Sequence, residues 1–165
     1  MSIQKTTCNK IYISSDHAGF EMKNITVSFL SEQEVSIVDL GPDVLDPSDD
    51  YPDSAMAVAR AVIAEPQSCG IIIGGSGQGE AIAANRFKGI RAVVFNGQYR
   101  PEDGRDVPDE IVLSRQHNDS NVLCLGARFL NQSEVEGAVL KWLQTDFSGD
   151  ERHIRRIKKI DELIS

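Results

Sequence analysis

A carboxylate that follows a run of glycines is the arrangement in this chain best suited to chemistry. Gly74-Gly75-Ser76-Gly77-Gln78-Gly79 leads directly into Glu80. Few side chains intervene in such a turn, so its backbone amides can face an anion. A helix starting there adds partial positive charge. A carboxylate at the rim can take a proton from carbon while the amides hold the oxyanion that forms. The plainer reading is a tight strand-to-helix turn, with Glu80 merely favoured in a first helical turn. Taken alone, the turn slightly favours the plainer reading.

Other polar residues gain meaning from the elements that must position them. Apolar runs predict strands at Ile11–Ser15, Val35–Asp39, Cys69–Ile73, Arg91–Phe95 and Asn121–Leu125. Helical periodicity separates them. Met22, Ile25 and Phe29 mark one helix, and Ala55, Val58, Ala59, Val62 and Ile63 mark a second. A third starts near Glu80, and a fourth covers about Asp109–Gln116. Ser133 and Glu136 have capping-box spacing ahead of Val135, Ala138, Val139, Trp142 and Leu143. A last helix covers about 151–165. The alternation predicts a single α/β domain over 1–165, a five-stranded parallel sheet with helices on both faces.

In such sheets ligands bind beyond the C-terminal ends of the strands. Asp16 and His17 follow strand one, Gly41 to Tyr51 follow strand two, and the glycine turn with Glu80 follows strand three. An acid, an imidazole, an anion-binding turn and a second acid are thus expected at one edge. Alone, Asp16 reads better as a helix cap. The loop Gly97–Glu110, rich in proline, glycine and charge, is either solvated surface or a lid over that edge. Arg152 and Arg156 share a helical face beside Ile154, Ile157 and Ile160, which predicts a packed seam and a bidentate grip on phosphate. The alternative is a solvated basic helix, the reading that suits Arg155 and Lys158.

Bulk properties narrow the classes. The chain has 165 residues and is 41% hydrophobic, enough for a real core. Its net charge of −8 argues against nucleic acid or an anionic membrane as partner. No apolar run reaches the roughly 18 residues of a membrane span. The start, MSIQKTTCNK, lacks the apolar stretch of a secretion signal, so the expected location is cytoplasmic. Cys8, Cys69 and Cys124 show neither metal spacing nor a paired framework, and Cys69 and Cys124 read as small buried hydrophobes. The glycine turn follows strand three, not strand one as in dinucleotide sites. Its spacing also fails the serine-nucleophile elbow, and a phosphate-loop lysine is absent.

At this point the residues resemble a known family, ribose-5-phosphate isomerase type B, which includes galactose-6-phosphate isomerase. The matching pieces are Ser15–Gly19, Asp50-Tyr51-Pro52, Gly74–Asn85, Gly89–Ala92, Ser114–Asn121, Gly126-Ala127-Arg128 and Arg152-His153. They occur in family order and cover most of the chain. The resemblance implies a Rossmann-like three-layer α/β/α aldose–ketose isomerase that works as a dimer without metal or cofactor. It implies that Asp16 and His17 contact sugar or phosphate and that Tyr51 lines the pocket. Gly75, Ser76, Gly77 and Gly79 would hold the enediolate, and His117 with Asn118 would help open the sugar ring. Arg128, Arg152 and Arg156 would bind phosphate. One branch of the family uses a cysteine at the end of strand three as its base. Gly74 stands there in this chain, so the resemblance is to the branch in which the glutamate, here Glu80, is the base.

His117 precedes strand five and so belongs to the opposite sheet edge from Asp16 and Glu80. The expectation is a homodimer, with a tetramer left open, in which His117 and Asn118 complete the partner's site. The expected partner is a small phosphorylated sugar, with no nucleic acid and no membrane. Ribose 5-phosphate is the first expectation for substrate. Tetrose, allose or galactose phosphates stay open, because many relatives lack the long Gly97–Glu110 loop. A phosphosugar-binding module without catalysis is the reading from another class.

Overall fold

The structure, a computed structural model, describes residues 6–163. The expected helix end at 165 and the residues Met1–Lys5 lie outside that range. Strands β1 (Lys10–Ser15), β2 (Ile37–Asp39), β3 (Ser68–Gly74), β4 (Ala92–Phe95) and β5 (Val122–Gly126) form one parallel sheet in the order β2-β1-β3-β5-β4. The intervening helices are α1 (Phe20–Glu32), α2 (Tyr51–Ala64), α3 (Gln78–Ala84), α4 (Glu110–Asn118) and α5 (Gln132–Gln144). Helix α6 (Glu151–Leu163) follows. The three-layer α/β/α expectation holds.

Side-chain alternation on the central strands feeds two cores. Ile71, Ile73, Leu123 and Leu125 pack with Leu30, Val135, Val139 and Trp142 from α1 and α5. Ile72 and Cys124 point the other way, against Val58, Ala59 and Val62 of α2 and Ala81 and Ala84 of α3. β3 and β5 are buried along their whole length, as a parallel sheet covered on both faces requires.

Four local expectations are corrected. The residues α1 buries fully are Lys23, Thr26 and Leu30, while Ile25 is exposed and Met22 and Phe29 are partly buried. Lys23 tolerates burial because its ammonium donates to Asp39 at 2.7 Å and to the Pro42 carbonyl at 3.0 Å. That contact fixes the segment after β2. The capping box is Asn131–Glu134, two residues before the expected Ser133–Glu136. Both spacings satisfy the pattern, and the helix takes the earlier one, where each side chain accepts the other residue's N–H. Ile63 is exposed, whereas the other four residues of its stripe are buried. Finally, Cys8 and Cys69 form a disulfide, with Cα atoms 5.8 Å apart, because the segment before β1 runs beside the start of β3. Cys124 remains a buried free thiol, its pKa pushed up by burial.

Candidate active site

β1 and β3 are neighbours, so Asp16 and the glycine turn emerge side by side at the C-terminal edge. Asp16 is buried and accepts from the Gly19 N–H at 3.0 Å, which closes the turn ahead of α1. Its carboxyl also meets that of Glu80. Glu80, on the first turn of α3, is only 3% exposed. Burial raises its pKa, and the neighbouring Asp16 raises it further, while a backbone hydrogen bond offsets part of the rise. A carboxyl in such a place is a stronger base than an exposed one.

Gly74 explains how the carboxyl fits. A Cβ at Gly74 would stand 1.6 Å from Glu80 Oε1 and 2.3 Å from Cδ. The carboxyl therefore occupies the volume any side chain at position 74 would fill.

The turn between them is oriented from behind. The Gly74 carbonyl accepts from Ala127 N–H at 2.8 Å, and the Gly75 carbonyl from Arg128 N–H at 3.1 Å. The Ser76 carbonyl accepts from Asn96 Nδ2 at 2.9 Å. In a trans peptide the N–H points opposite to the carbonyl. The amides of Gly75, Ser76 and Gly77 are thus directed away from β5 and β4, and they find no hydrogen-bond partner among the described residues. Gly77 takes a left-handed conformation, φ 72°, that lets the chain turn into α3. The Ser76 hydroxyl accepts weakly from Gln78 N–H at 3.4 Å.

Three side chains surround this turn. The Arg128 guanidinium lies over Gly75, and the Tyr51 ring lies over Gly79. His17 is held by Asp49, whose Oδ1 meets the ring Nδ1 at 2.6 Å and the main-chain N–H at 3.1 Å. Asp49 raises the His17 pKa, and Asp16 adds to this, while partial burial and Arg128 oppose it. The His17 imidazole, its protonated form favoured by Asp49, and the Arg128 guanidinium both suit an anionic group near the glycine turn.

The remaining expected residues gather elsewhere. His117 and Asn118 end α4 and precede β5, so a strand spanning about 13 Å separates them from the Glu80 edge. The His117 ring stacks on His153 of α6, with centroids 4.3 Å apart. Burial lowers the His153 pKa, as do His117, Arg152 and Arg156 nearby, and Asp150 opposes them. Arg152 and Arg156 are exposed, which corrects the packed seam expected for Arg156. Only His153 of α6 is buried, and Ile154, Ile160 and Leu163 face outward.

Sequence reasoning missed Asp49, Asn96 and the anchor of the His117 turn. Asp119 follows in a left-handed conformation and pairs with Arg91 and Arg115, each at 3.0 Å. Arg91 Nε also donates to the carbonyls of Asn118 and Asp119 at 2.9 Å. The only signal in the sequence was the presence of Arg91 and Asp119 within the quoted motifs. The Gly97–Glu110 loop closes on itself through Gln98, which bonds Pro108 and Glu110. A cleft of about 710 Å³ between loop and α5 is lined by neither Glu80 nor Tyr51.

A buried carboxyl therefore lies against outward-facing amides at the C-terminal edge of a parallel sheet, on a fold shared with solved sugar-phosphate isomerases. The Ribose/Galactose Isomerase family matches residues 11–160, and the chain belongs to that family. It is 43% identical to a probable ribose-5-phosphate isomerase B of Mycoplasma pneumoniae over 150 residues, 91% of each chain. It is 34% identical to ribose-5-phosphate isomerase B of Mycobacterium tuberculosis, over 93% of this chain and 88% of that one. Among solved structures, ribose-5-phosphate isomerase B of Mycoplasma genitalium with bound ribulose 5-phosphate matches with a TM-score of 0.82 and 39% identity, covering 93% of this chain and 95% of that one. The ribose-5-phosphate isomerase B of Clostridium thermocellum matches with a TM-score of 0.83 and 38% identity, over 93% and 96%. No helix among the described residues is long and apolar enough to cross a membrane.

Proposed function

We propose that this protein interconverts ribose 5-phosphate and ribulose 5-phosphate, with Glu80 as the base that moves a proton between C1 and C2. The observation that carries the reading is the Glu80 carboxyl, buried against Gly74 and Asp16 beside three outward amides. A C–H alpha to a carbonyl is a weak acid. Its removal becomes feasible when the oxygen of the resulting cis-enediolate is met by fixed donors. Gly75, Ser76 and Gly77 supply N–H groups there without crowding the sugar. Glu80 takes the proton from one carbon and returns it to the next, and the hydroxyl proton passes from O2 to O1 of the enediolate, so the isomerisation balances with no oxidant or reductant.

The sugar must first be a chain. Ring opening falls to His117, with Asn118 beside it, supplied by a second copy of the protein. Arg152 and Arg156 of that copy join Arg128 and His17 around the phosphate. Two features support a homodimer: the separation of His117 from Glu80 within one chain, and the outward apolar residues of α6. The reading places the enzyme in the cytoplasm, with a phosphorylated sugar as its small-molecule partner.

The Gly97–Glu110 loop is the observation that favours keeping a different sugar phosphate in view. A screen of phosphorylated tetroses, pentoses and hexoses, comparing kcat/KM, tests the assignment. Ribose 5-phosphate is expected to lead by at least about tenfold, the discrimination that one misplaced hydroxyl or methylene supports. A tetrose or hexose phosphate in first place would overturn the substrate, and shortening the loop would then show whether it sets the choice. Binding without turnover of any of them would overturn the enzyme.

A further inference from the structure

We propose that Asn96 is a positioning residue for the oxyanion turn, fixing the Ser76–Gly77 peptide so that the Gly77 N–H is presented to the enediolate. The inference rests on the reading of that turn as the enediolate site and of Glu80 as its base.

Asn96 is the first residue past β4. Because β5 lies between β4 and β3, its side chain must reach across β5 to meet the turn after β3. Gly126, at the end of β5, leaves the room. A Cβ there would stand 2.1 Å from Asn96 Oδ1. Asn96 Nδ2 then donates to the Ser76 carbonyl at 2.9 Å. Since the peptide is trans, this bond sends the Gly77 N–H in the opposite direction.

The three peptides of the turn are not held alike. Main-chain N–H groups of Ala127 and Arg128 hold the Gly74 and Gly75 carbonyls, and almost any residue could supply those. The Ser76 carbonyl depends on a side chain. Its peptide can also rotate, because Gly77 has no Cβ to resist turning about its own φ. A bond from Asn96 restrains that freedom. Asn96 Oδ1, meanwhile, is buried without a hydrogen-bond partner among the described residues. An orphaned acceptor lowers stability. A residue serving packing alone would have no reason to retain that amide.

Asn96→Asp tests the role, because it keeps the shape but sets a carboxylate acceptor against the Ser76 carbonyl. The readouts are kcat and KM for ribose 5-phosphate, melting temperature, and inhibition by a phosphorylated hydroxamate, a planar mimic of the enediolate. The expected result is a kcat about 10- to 100-fold lower, just under the loss seen when a direct oxyanion donor is deleted. The hydroxamate constant should weaken by the same factor, with KM within about threefold of wild type. Asn96→Ala carries the same comparison where Asn96→Asp does not fold. Unchanged kcat and hydroxamate affinity in a folded variant would overturn the proposal. So would a loss that tracks melting temperature and leaves kcat and hydroxamate binding uncorrelated. Failure of the underlying base assignment has a different signature: Glu80→Gln would keep its turnover, whatever Asn96 does.

Discussion

Glu80→Gln is expected to lower kcat for ribose 5-phosphate by about 10³-fold, within the range attributed to a positioned acid or base. The amide has the same size and keeps a carbonyl oxygen toward the backbone, so the packing against Gly74 is preserved. What it loses is the capacity to accept a proton from carbon. On the proposed reading, ground-state binding relies on the guanidiniums and His17 instead, so the dissociation constant for the sugar phosphate should stay within about threefold. Steady-state kinetics and calorimetry on the same preparation check both halves. The wild-type pH profile offers a second view. The base must be ionised, and burial with Asp16 beside it raises the Glu80 pKa. Activity should therefore rise with pH through a limb lying above the ordinary carboxylate range, and Glu80→Gln should lose that limb.

Gly74→Ala is expected to cost about 100-fold in kcat, although it touches neither the base nor the substrate chemically. The added methyl would stand 1.6 Å from Glu80 Oε1. Gly74 lies in β3 and carries no positive φ, so the backbone accepts alanine readily. The strain is relieved by the carboxyl, the flexible end of a long side chain. Displacing a catalytic group by about 1 Å is enough for a loss of that order. A carboxyl pushed toward water also sheds part of its burial, so the acid limb should move to lower pH. Retained kcat with an unmoved limb would mean that the carboxyl has more room than the structure shows.

Much of the arrangement was legible in the residues. The apolar runs located the strands, and alternation with helices implied a parallel sheet, which in turn placed Asp16, His17 and Glu80 at one edge. The same logic separated His117 from them. What escaped depends on contacts between distant segments. Gly74 read as the mark of a missing cysteine, and the reciprocal exclusion with Glu80 emerged only once the helix packed back on the strand. Asp49 is one acid among Asp43, Asp46, Asp50 and Asp53. Nothing local distinguishes the one that meets His17. Asn96 gains its role from the strand order, since it reaches Ser76 by crossing β5. Lys23 defeated the periodicity of α1 because its two oxygen partners, at Asp39 and Pro42, lie on another element. The disulfide joins residues 61 apart, a pairing that spacing alone does not reveal.

The central claim is a site shared between two copies, with Glu80 from one and His117 from the other. Mixing inactive Glu80→Gln with inactive His117→Ala protein measures it most directly, after subunit exchange has been verified by native mass spectrometry. Each hybrid dimer would hold one site with both residues intact and one with neither. Random exchange makes half the dimers hybrid, so activity should return to about a quarter of the wild-type value for a two-fold dimer. Complete exchange with no recovery would contradict the shared site.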